Sequence, residues 1–343
     1  MKDSLSPPTP PPVEDGPGTM AKRLSFRLLW LSILIALLYF ALRNAPLTEI
    51  WNALKQLQLW QIGFLLVINV LVITLMAARW WIIVRAENKS VPFLPLIGYR
   101  LSVFGLSYFT PGPQVGGEPL QVLYLQRNHG LTFARSTSAV IMDKLLEFLV
   151  NFILLGIGAW AIVRVGLISG NGIRLNLSLI GLAALLIWPL VHIILLYNGV
   201  MPISKILLRQ PFIQKDHSSI RLVIVSERMA SAFCQKHLQA MFLAIGVSMI
   251  AIAGIAVEYY LMVSFLRIQI NAVQIFAALT FMQIAFLMPL PGGLGTLEAS
   301  QVFALGAFGQ PASIAISLTL LMRARDILNG GIGLLLAGRR IGK

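Results

Sequence analysis

The sequence predicts an all-α polytopic membrane protein with about six full transmembrane helices and two re-entrant helical hairpins of opposite orientation. Three observations lead to this fold class. Hydrophobic residues make up 57% of the 343 residues and charged residues only 12%, whereas soluble domains carry about 25% charged residues. Apolar stretches of membrane-spanning length recur along the chain. Two of these stretches run directly into clusters of proline and glycine, which break a helix.

The full spans are predicted from uninterrupted apolar segments that are long enough to cross the hydrocarbon core of a bilayer. These segments lie at about 26–42, 60–78, 139–163, 175–197, 239–265 and 312–337. The first of them ends in the sequence LRNAP, which lacks the small residues of a signal-peptide cleavage site. We therefore expect it to be retained as a transmembrane span.

The hairpins are predicted from two further apolar segments, at about 93–110 and 271–288. The first leads into TPGPQVGGEP and the second, after Met288, into PLPGGLGTLE. Each cluster is followed by a shorter apolar piece, at about 120–126 and 299–309. A helix that stops at such a break and then returns is expected to re-enter the bilayer from one side, with protein or water satisfying its free backbone groups.

The distribution of Lys and Arg favours hairpins over eight simple spans. With both clusters as hairpin tips and a cytoplasmic N-terminus, most of the 27 Lys and Arg residues fall in the cytoplasmic segments, which are the tail to residue 27, 79–100, 127–138, 198–238 and 338–343. With eight simple spans they would be divided almost evenly, and Arg100 would lie within the bilayer. We therefore predict a multi-pass protein of the inner (plasma) membrane with both termini in the cytoplasm.

The predicted domain organisation is a disordered Pro-rich tail at 1–20 followed by a single transmembrane domain at 21–343. The halves of this domain, at about 21–197 and 239–343, would each hold one hairpin in inverted orientation. Many secondary transporters build a midplane site from broken helices in this way. The halves are joined by the basic segment 198–238, which is expected to include an amphipathic helix on the inner membrane surface.

Candidate substrate-binding residues occur at both breaks, where proline and paired glycines precede an acid. Gly116 and Gly117 allow backbone N–H groups to approach a ligand closely, and Glu118 opens the returning helix. The second break repeats this pattern with Pro291, Gly292, Gly293, Gly295 and Glu298. The alternative interpretation is that both acids only cap their helices.

Charged residues inside predicted spans form the second group of candidates, because buried charges are costly and normally face a cavity or one another. Asp143 and Glu147 are four residues apart and therefore share one helix face, with Lys144 beside them. Lys144 could also extend to the headgroups. The last span holds Arg323, Arg325 and Asp326. Their expected partners are Glu298, Glu118 or a lipid phosphate, and a pair between Arg323 and Asp326 is the alternative.

Other features carry less weight. Glu258 is placed in a span near its outer end, where a role in proton coupling is one interpretation. His192 is interpreted as a packed polar residue, and Arg79 in RWW as the basic flank of an aromatic belt. The single cysteine, Cys234, excludes an intrachain disulfide. The sequence contains no nucleotide-binding loop, zinc-ligand spacing or activated nucleophile, so we predict no enzyme activity, no cofactor, no metal and no nucleic-acid partner.

Two stretches carry a resemblance to a known family: PGPQVGGEPLQVLYLQRNHGLTFARSTSAVIMDKLLEF at 111–148 and LMPLPGGLGTLEAS at 287–300. In order and separation they resemble the transmembrane region of lysylphosphatidylglycerol synthases, a flippase-like membrane domain found alone or fused to an aminoacyl-lipid synthase. The similarity extends over most of residues 24–337. No synthase domain follows it in this sequence, so we expect the stand-alone form, without lysyl transfer.

The resemblance assigns functional positions at both breaks. It covers Gly117, Glu118, the Arg127-x-x-Gly130 turn, Asp143 and the motif Pro291-Gly292-Gly293-x-Gly295-x-x-Glu298. The family often has an arginine three residues after the first glutamate and another directly after the aspartate. Here these positions hold Gln121 and Lys144, so the choice of headgroup is expected to differ.

The sequence thus favours a lipid translocase that moves phospholipids or modified or polyprenyl-linked lipids through a cavity formed by the two hairpin tips. The resemblance implies lipids with anionic or amine-modified headgroups. A second interpretation is an accessory subunit that presents lipid substrate to a glycosyl- or acyltransferase, and a third is a membrane enzyme acting on polyprenyl-linked sugars. A homodimer and a complex with a lipid-modifying enzyme are both compatible with the sequence.

Overall fold

The computed structural model describes residues 57–110, 116–167, 190–209, 218–288 and 290–341, with a few more between 48 and 55 and at 187–188. Regular structure in these ranges is helical. The helices are α1 (Leu59–Glu87), α2 (Phe93–Phe109), α3 (Glu118–His129), α4 (Phe133–Arg164), α5 (Leu190–Tyr197), α6 (Pro202–Arg209), α7 (Ser218–Lys236), α8 (Leu238–Phe265), α9 (Ala272–Leu287), α10 (Thr296–Ala307) and α11 (Ala312–Ile341). A 3-10 turn, Pro291–Gly293, lies between α9 and α10. The predicted tail at 1–20 and the predicted span at 26–42 lie outside the described residues.

The described helices are those of a polytopic membrane protein. Three of them, α1, α4 and α8, are long and apolar enough to cross a membrane, and α5 with α6 adds a fourth if the pair is one span bent by 91°. The helices α2 and α9, which are the first arms of the predicted hairpins, are apolar but have only 17 and 16 residues. The exact number of spans and the re-entrant hairpins remain predictions.

Two helices extend beyond their predicted apolar segments. The segment 79–100, which is predicted to lie in the cytoplasm, is largely helical, because α1 continues to Glu87 and α2 begins at Phe93. The residues after Arg79 read WWIIV, so the apolar run resumes, and a single arginine does not end a helix whose partner acid lies nearby. Similarly, α4 begins at Phe133, where the Thr132 hydroxyl caps the helix by accepting a hydrogen bond from the Arg135 N–H.

The helix predicted in the basic connecting segment is present as α7, and its place on the inner membrane surface stays a prediction. Its residues Ala230, Phe233 and Cys234 are buried in a core that includes Leu146 of α4. Part of its apolar face is therefore covered by protein. Glu227 of the same helix accepts hydrogen bonds from the backbone N–H groups of Ile203 and Ser204, at 2.9 and 2.7 Å, and so caps α6.

Two closely packed helix pairs organise the described domain. The helix α8 packs along α1, and α11 packs along α2. The second pair is close because glycines face each other: a Cβ atom added at Gly105 would lie 2.6 Å from the carbonyl oxygen of Gly330. Outward-facing side chains of α1 such as Val67 and Val70 are 64% and 62% exposed, as expected for a surface in contact with lipid.

The end of the helix that precedes the first break contacts the second break. At the second break, Gly292 has φ +55° and Gly295 has φ +78°, which are backbone angles that glycine adopts without strain. A Cβ atom at Gly292 would lie 2.7 Å from the ring of Tyr108, two residues before the first break. The end of α2 therefore packs against the Pro291–Gly293 turn.

Candidate functional site

The first break is held together by hydrogen bonds within its own segment. The Gly116 N–H donates to a carboxylate oxygen of Glu118 at 2.8 Å, and the Gly117 N–H donates to the Ser107 hydroxyl at 2.9 Å. A Cβ atom at Gly117 would lie 2.5 Å from the Val103 carbonyl oxygen, so only glycine fits at this position. These two N–H groups are consequently occupied in this conformation and do not face an open anion site.

Behind this break lies a buried set of charges, which we call the first charge cluster: Arg79, Arg100, Glu118, Asp143, Lys144 and Glu147. Arg79 of α1 donates to both Asp143 and Glu147, at 2.7 Å each. Arg100 of α2 donates to the same two carboxylates at 2.9 and 2.7 Å. The two acids of α4 thus share one face, as their spacing predicts, and hold α1, α2 and α4 together.

Lys144 connects the arginine pair to the first break. Its ammonium nitrogen lies 3.0 Å from a carboxylate oxygen of Glu118 and 3.0 Å from one of Glu147. The side chain of Lys144 is 19% exposed. The contact with Glu147 is a hydrogen bond, whereas the contact with Glu118 is an ion pair. Lys144 is therefore tied to acids of α3 and α4 rather than extended towards the membrane surface.

Neither arginine of the first charge cluster is predicted from the sequence as a site residue. Arg79 was interpreted as the flank of an aromatic belt, but it is only 4% exposed and pairs with two acids. Arg100 was assigned to a cytoplasmic segment. The signal that could have found them is the pair Asp143 and Glu147 itself, because two carboxylates on one buried helix face require cationic partners from neighbouring helices.

A second charge cluster lies behind the other break and consists of Glu258, Glu298, Arg323, Arg325 and Asp326. Arg323 forms a bidentate ion pair with Glu298: its Nε donates to one carboxylate oxygen, and its Nη2 donates to the other at 2.8 Å. It also donates to the carbonyl oxygens of Gly292 and Gly293, at 3.3 Å each. Glu298 accepts the Gly295 N–H at 2.9 Å. Arg323 therefore fixes the turn, and Glu298 caps α10 as the alternative interpretation had it.

Arg325 pairs with different acids. Its guanidinium contacts Glu258 of α8 at 3.0 Å and Asp326 of its own helix at 2.8 Å. Glu258 also accepts a hydrogen bond from the Asn69 amide of α1 at 3.3 Å. Of the expected partners for the two arginines, Glu298 is found with Arg323. Glu118 belongs to the first charge cluster, and Asp326 pairs with Arg325 instead of Arg323.

Two predicted site residues stand apart from both clusters. Arg127 is exposed in the last turn of α3, and among the described residues it makes no ion pair with either cluster. Gln121 is fully buried, and its amide nitrogen and oxygen have no hydrogen-bond partner in the described part of the chain. A buried amide without a partner is costly. Gln121 thus has unused hydrogen-bonding capacity within the described part of the chain.

Two apolar grooves meet at Lys144. The α3–α4 groove has a volume of about 530 Å³ and is lined by Glu118, Val122, Leu123, Thr137 and Phe148, among others. The α4–α9 cavity has a volume of about 280 Å³ and is lined by residues of α1, α4, α8 and α9, including Arg79, Glu147, Asn151, Gln283 and Phe286. Lys144 and Phe148 line both spaces. The arrangement places one cation between two hydrophobic spaces.

The sequence profile of one family, the lysylphosphatidylglycerol synthase TM region, matches residues 27–330. The chain belongs to the lysylphosphatidylglycerol synthase TM region family. The resemblance inferred from the two motifs is thereby confirmed. This family's membrane domain is linked to lipid handling.

One sequence relative is also a membrane protein. The chain is 24% identical over 289 residues to the UPF0104 membrane protein MJ1595 of Methanocaldococcus jannaschii, covering 81% of this chain and 84% of that protein. No solved structure matches this member of the lysylphosphatidylglycerol synthase TM region family.

Proposed function

We propose that this protein is a lipid translocase that moves phospholipids with amine-bearing or otherwise modified headgroups across the membrane. The observation that carries this proposal is the meeting of two apolar grooves at Lys144. A two-chain lipid needs a polar point for its headgroup phosphate and an apolar surface for each acyl chain. The α3–α4 groove and the α4–α9 cavity provide the apolar surfaces, and Lys144 provides a cation between them.

The polar groups around Lys144 suit a zwitterionic headgroup. Lys144 has a donor left for a phosphate oxygen among the described contacts, while the Glu118 carboxylate lines the same groove and attracts an amine. Gln283 adds a side-chain oxygen that has no hydrogen-bond partner within the described residues and lines the α4–α9 cavity. The glycine N–H groups of the breaks are used internally, so the phosphate contact is assigned to Lys144.

The two breaks would allow the headgroup to pass. Broken helices expose backbone polar groups only where protein or water satisfies them, and they bend more easily than continuous helices. Glu118, which directly follows the glycines of the first break, lines the α3–α4 groove, and Leu287, directly before the second break, lines the α4–α9 cavity. Re-entrant hairpins entering from opposite faces would give the headgroup a path along these edges.

Replacing Lys144 with glutamine is expected to slow lipid movement at least about tenfold, because a charge-assisted hydrogen bond is worth about 1.5–3 kcal/mol. The measurement uses the full-length protein in liposomes with a fluorescent amine-bearing phospholipid and follows chemical quenching of the accessible label. Lys89→Ala, at an exposed position between α1 and α2, is the matched control and should retain the wild-type rate. A Lys144→Gln protein that folds and moves lipid at the wild-type rate would remove Lys144 from the proposed site.

Filling the α3–α4 groove is expected to abolish most lipid movement without altering any ion pair. Thr137 lines this groove on α4, so Thr137→Trp would occupy space that an acyl chain needs. The matched control is Val70→Trp, which adds the same side chain to a position that is 62% exposed on α1. Equal rates for the two variants in the same liposome measurement would argue against this groove as the lipid path.

A further inference from the structure

Two buried carboxylates share a single guanidinium outside the proposed lipid site. Glu258 is 1% exposed and Asp326 is 4% exposed, and both contact Arg325, at 3.0 and 2.8 Å. Neither acid lines the α3–α4 groove or the α4–α9 cavity. The lipid-binding role proposed for the first charge cluster therefore leaves this pair of acids unexplained.

The two clusters differ in their numbers of acidic and basic side chains. Among the described residues, the first charge cluster has three acids and three bases. The second has three acids, Glu258, Glu298 and Asp326, but only the two bases Arg323 and Arg325. A buried carboxylate without a counter-charge is so costly that it is normally neutralised by a proton. With both acids ionised, the second charge cluster would carry one uncompensated negative charge.

The surroundings of this extra charge suit a proton better than a metal ion. One oxygen of Glu258 accepts a hydrogen bond from the Asn69 amide and the other faces Arg325. A hard cation requires about six oxygen ligands, whereas these neighbours are donors. No group of three or more His, Cys, Asp or Glu side chains in the described ranges could hold a metal ion.

We propose that Glu258, Arg325 and Asp326 form a proton-binding site, and that its occupancy is coupled to lipid movement. The second half of this proposal rests on the lipid translocase function proposed above. The other polar and charged groups near the site are Asn69 of α1, Tyr108 of α2 and Arg323 of α11, and Glu298 of α10 acts through Arg323. Within the described structure, none of these adds a further positive charge beyond Arg323.

The position of the site suggests how a proton would act on the breaks. The helix α8 packs mainly on α1, and α11 packs mainly on α2, while α8 and α11 touch only over a short stretch. The Glu258–Arg325 ion pair joins them there. Neutralising Glu258 weakens this ion pair and frees α11 to shift relative to α8. Because Arg323 on α11 holds the Gly292 and Gly293 carbonyl oxygens, such a shift is transmitted to the second break.

Infrared spectroscopy of the purified full-length protein tests proton binding without reference to transport. The wild type should show the carbonyl band of a buried protonated carboxyl group at neutral pH. Glu258→Gln and Asp326→Asn each remove one acid while keeping the side-chain shape, so each should lose this band. The control Glu87→Gln, at the end of α1, should retain it. Absence of the band in the wild type, or its persistence in both variants, overturns the proposal.

Transport measurements separate the proton site from the lipid function. In liposomes, a pH gradient should accelerate lipid movement by the wild type, and this acceleration should be lost in Glu258→Gln. Acceleration by a sodium gradient in place of a pH gradient overturns the proton assignment, and lipid movement that ignores both gradients overturns the coupling. If the wild type moves no lipid while the infrared band is present, the translocase proposal fails and proton binding stands.

Discussion

Replacing Asp143 with alanine is expected to destabilise the folded protein by about 3–5 kcal/mol, because removing one partner of a buried ion pair leaves uncompensated charge in a low-dielectric interior. Asp143 is fully buried and pairs with Arg79 at 2.7 Å and with Arg100 at 2.9 Å. Without it, two guanidiniums from α1 and α2 would compete for Glu147. Chemical unfolding in detergent micelles measures the change in the free energy of unfolding.

A double variant distinguishes lost charge balance from lost packing. Combining Asp143→Leu with Arg100→Met removes one charge of each sign and leaves Arg79 paired with Glu147, so most of the lost stability should return. Glu87→Ala, at the end of α1, controls for the loss of an acid outside the clusters. An Asp143→Ala protein within about 0.5 kcal/mol of the wild type would show that the first charge cluster contributes little to the fold.

The local parts of this architecture could be predicted from the sequence because they depend on neighbouring residues. Proline and paired glycine mark both breaks, and an acid after each glycine cluster accepts a hydrogen bond from a glycine N–H of the break. The spacing of Asp143 and Glu147 similarly fixes a shared helix face. These features follow from helix periodicity and backbone conformation, and the structure contains them at the predicted positions.

The partners of the buried charges could not be predicted in the same way because they come from distant helices. Arg79 and Arg100 lie 64 and 43 residues from Asp143 in the chain, and the pair Glu258–Arg325 is separated by 67 residues. A single sequence contains no information on which helices pack together. In addition, an arginine beside two tryptophans has the same pattern whether it flanks a membrane interface or reaches inward to an acid.

The breaks show a similar limit. The same sequence motif is compatible with glycine N–H groups that are free to bind a ligand and with glycine N–H groups that donate to a following acid. The structure shows the second arrangement, since Gly116 and Gly295 donate to Glu118 and Glu298. Glu118 and Glu298 thus stabilise the two turns, and each of these acids is ion-paired, Glu118 with Lys144 and Glu298 with Arg323. The conformation of each break is therefore stabilised by one cation on a neighbouring helix.

Replacing Gly333 with alanine is expected to destabilise the protein by about 1–3 kcal/mol, because the added methyl group has no space. A Cβ atom at Gly333 would overlap the carbonyl oxygen of Leu101 on α2. Since this atom belongs to the backbone of a helix, the clash cannot be relieved by a side-chain rotation, and α2 and α11 must move apart. Gly331→Ala is a matched control on the same helix, where a Cβ atom meets nothing within 4 Å.

The control should change stability in the opposite direction. Alanine is favoured over glycine inside a helix by up to about 1 kcal/mol, so Gly331→Ala is expected to stabilise the protein slightly. Detergent unfolding of the two variants under the same conditions compares the signs directly. Equal effects would mean that α2 and α11 are not in backbone contact. Because α11 also carries both arginines of the second charge cluster, a separation at Gly333 should additionally weaken the contact between Arg323 and the second break.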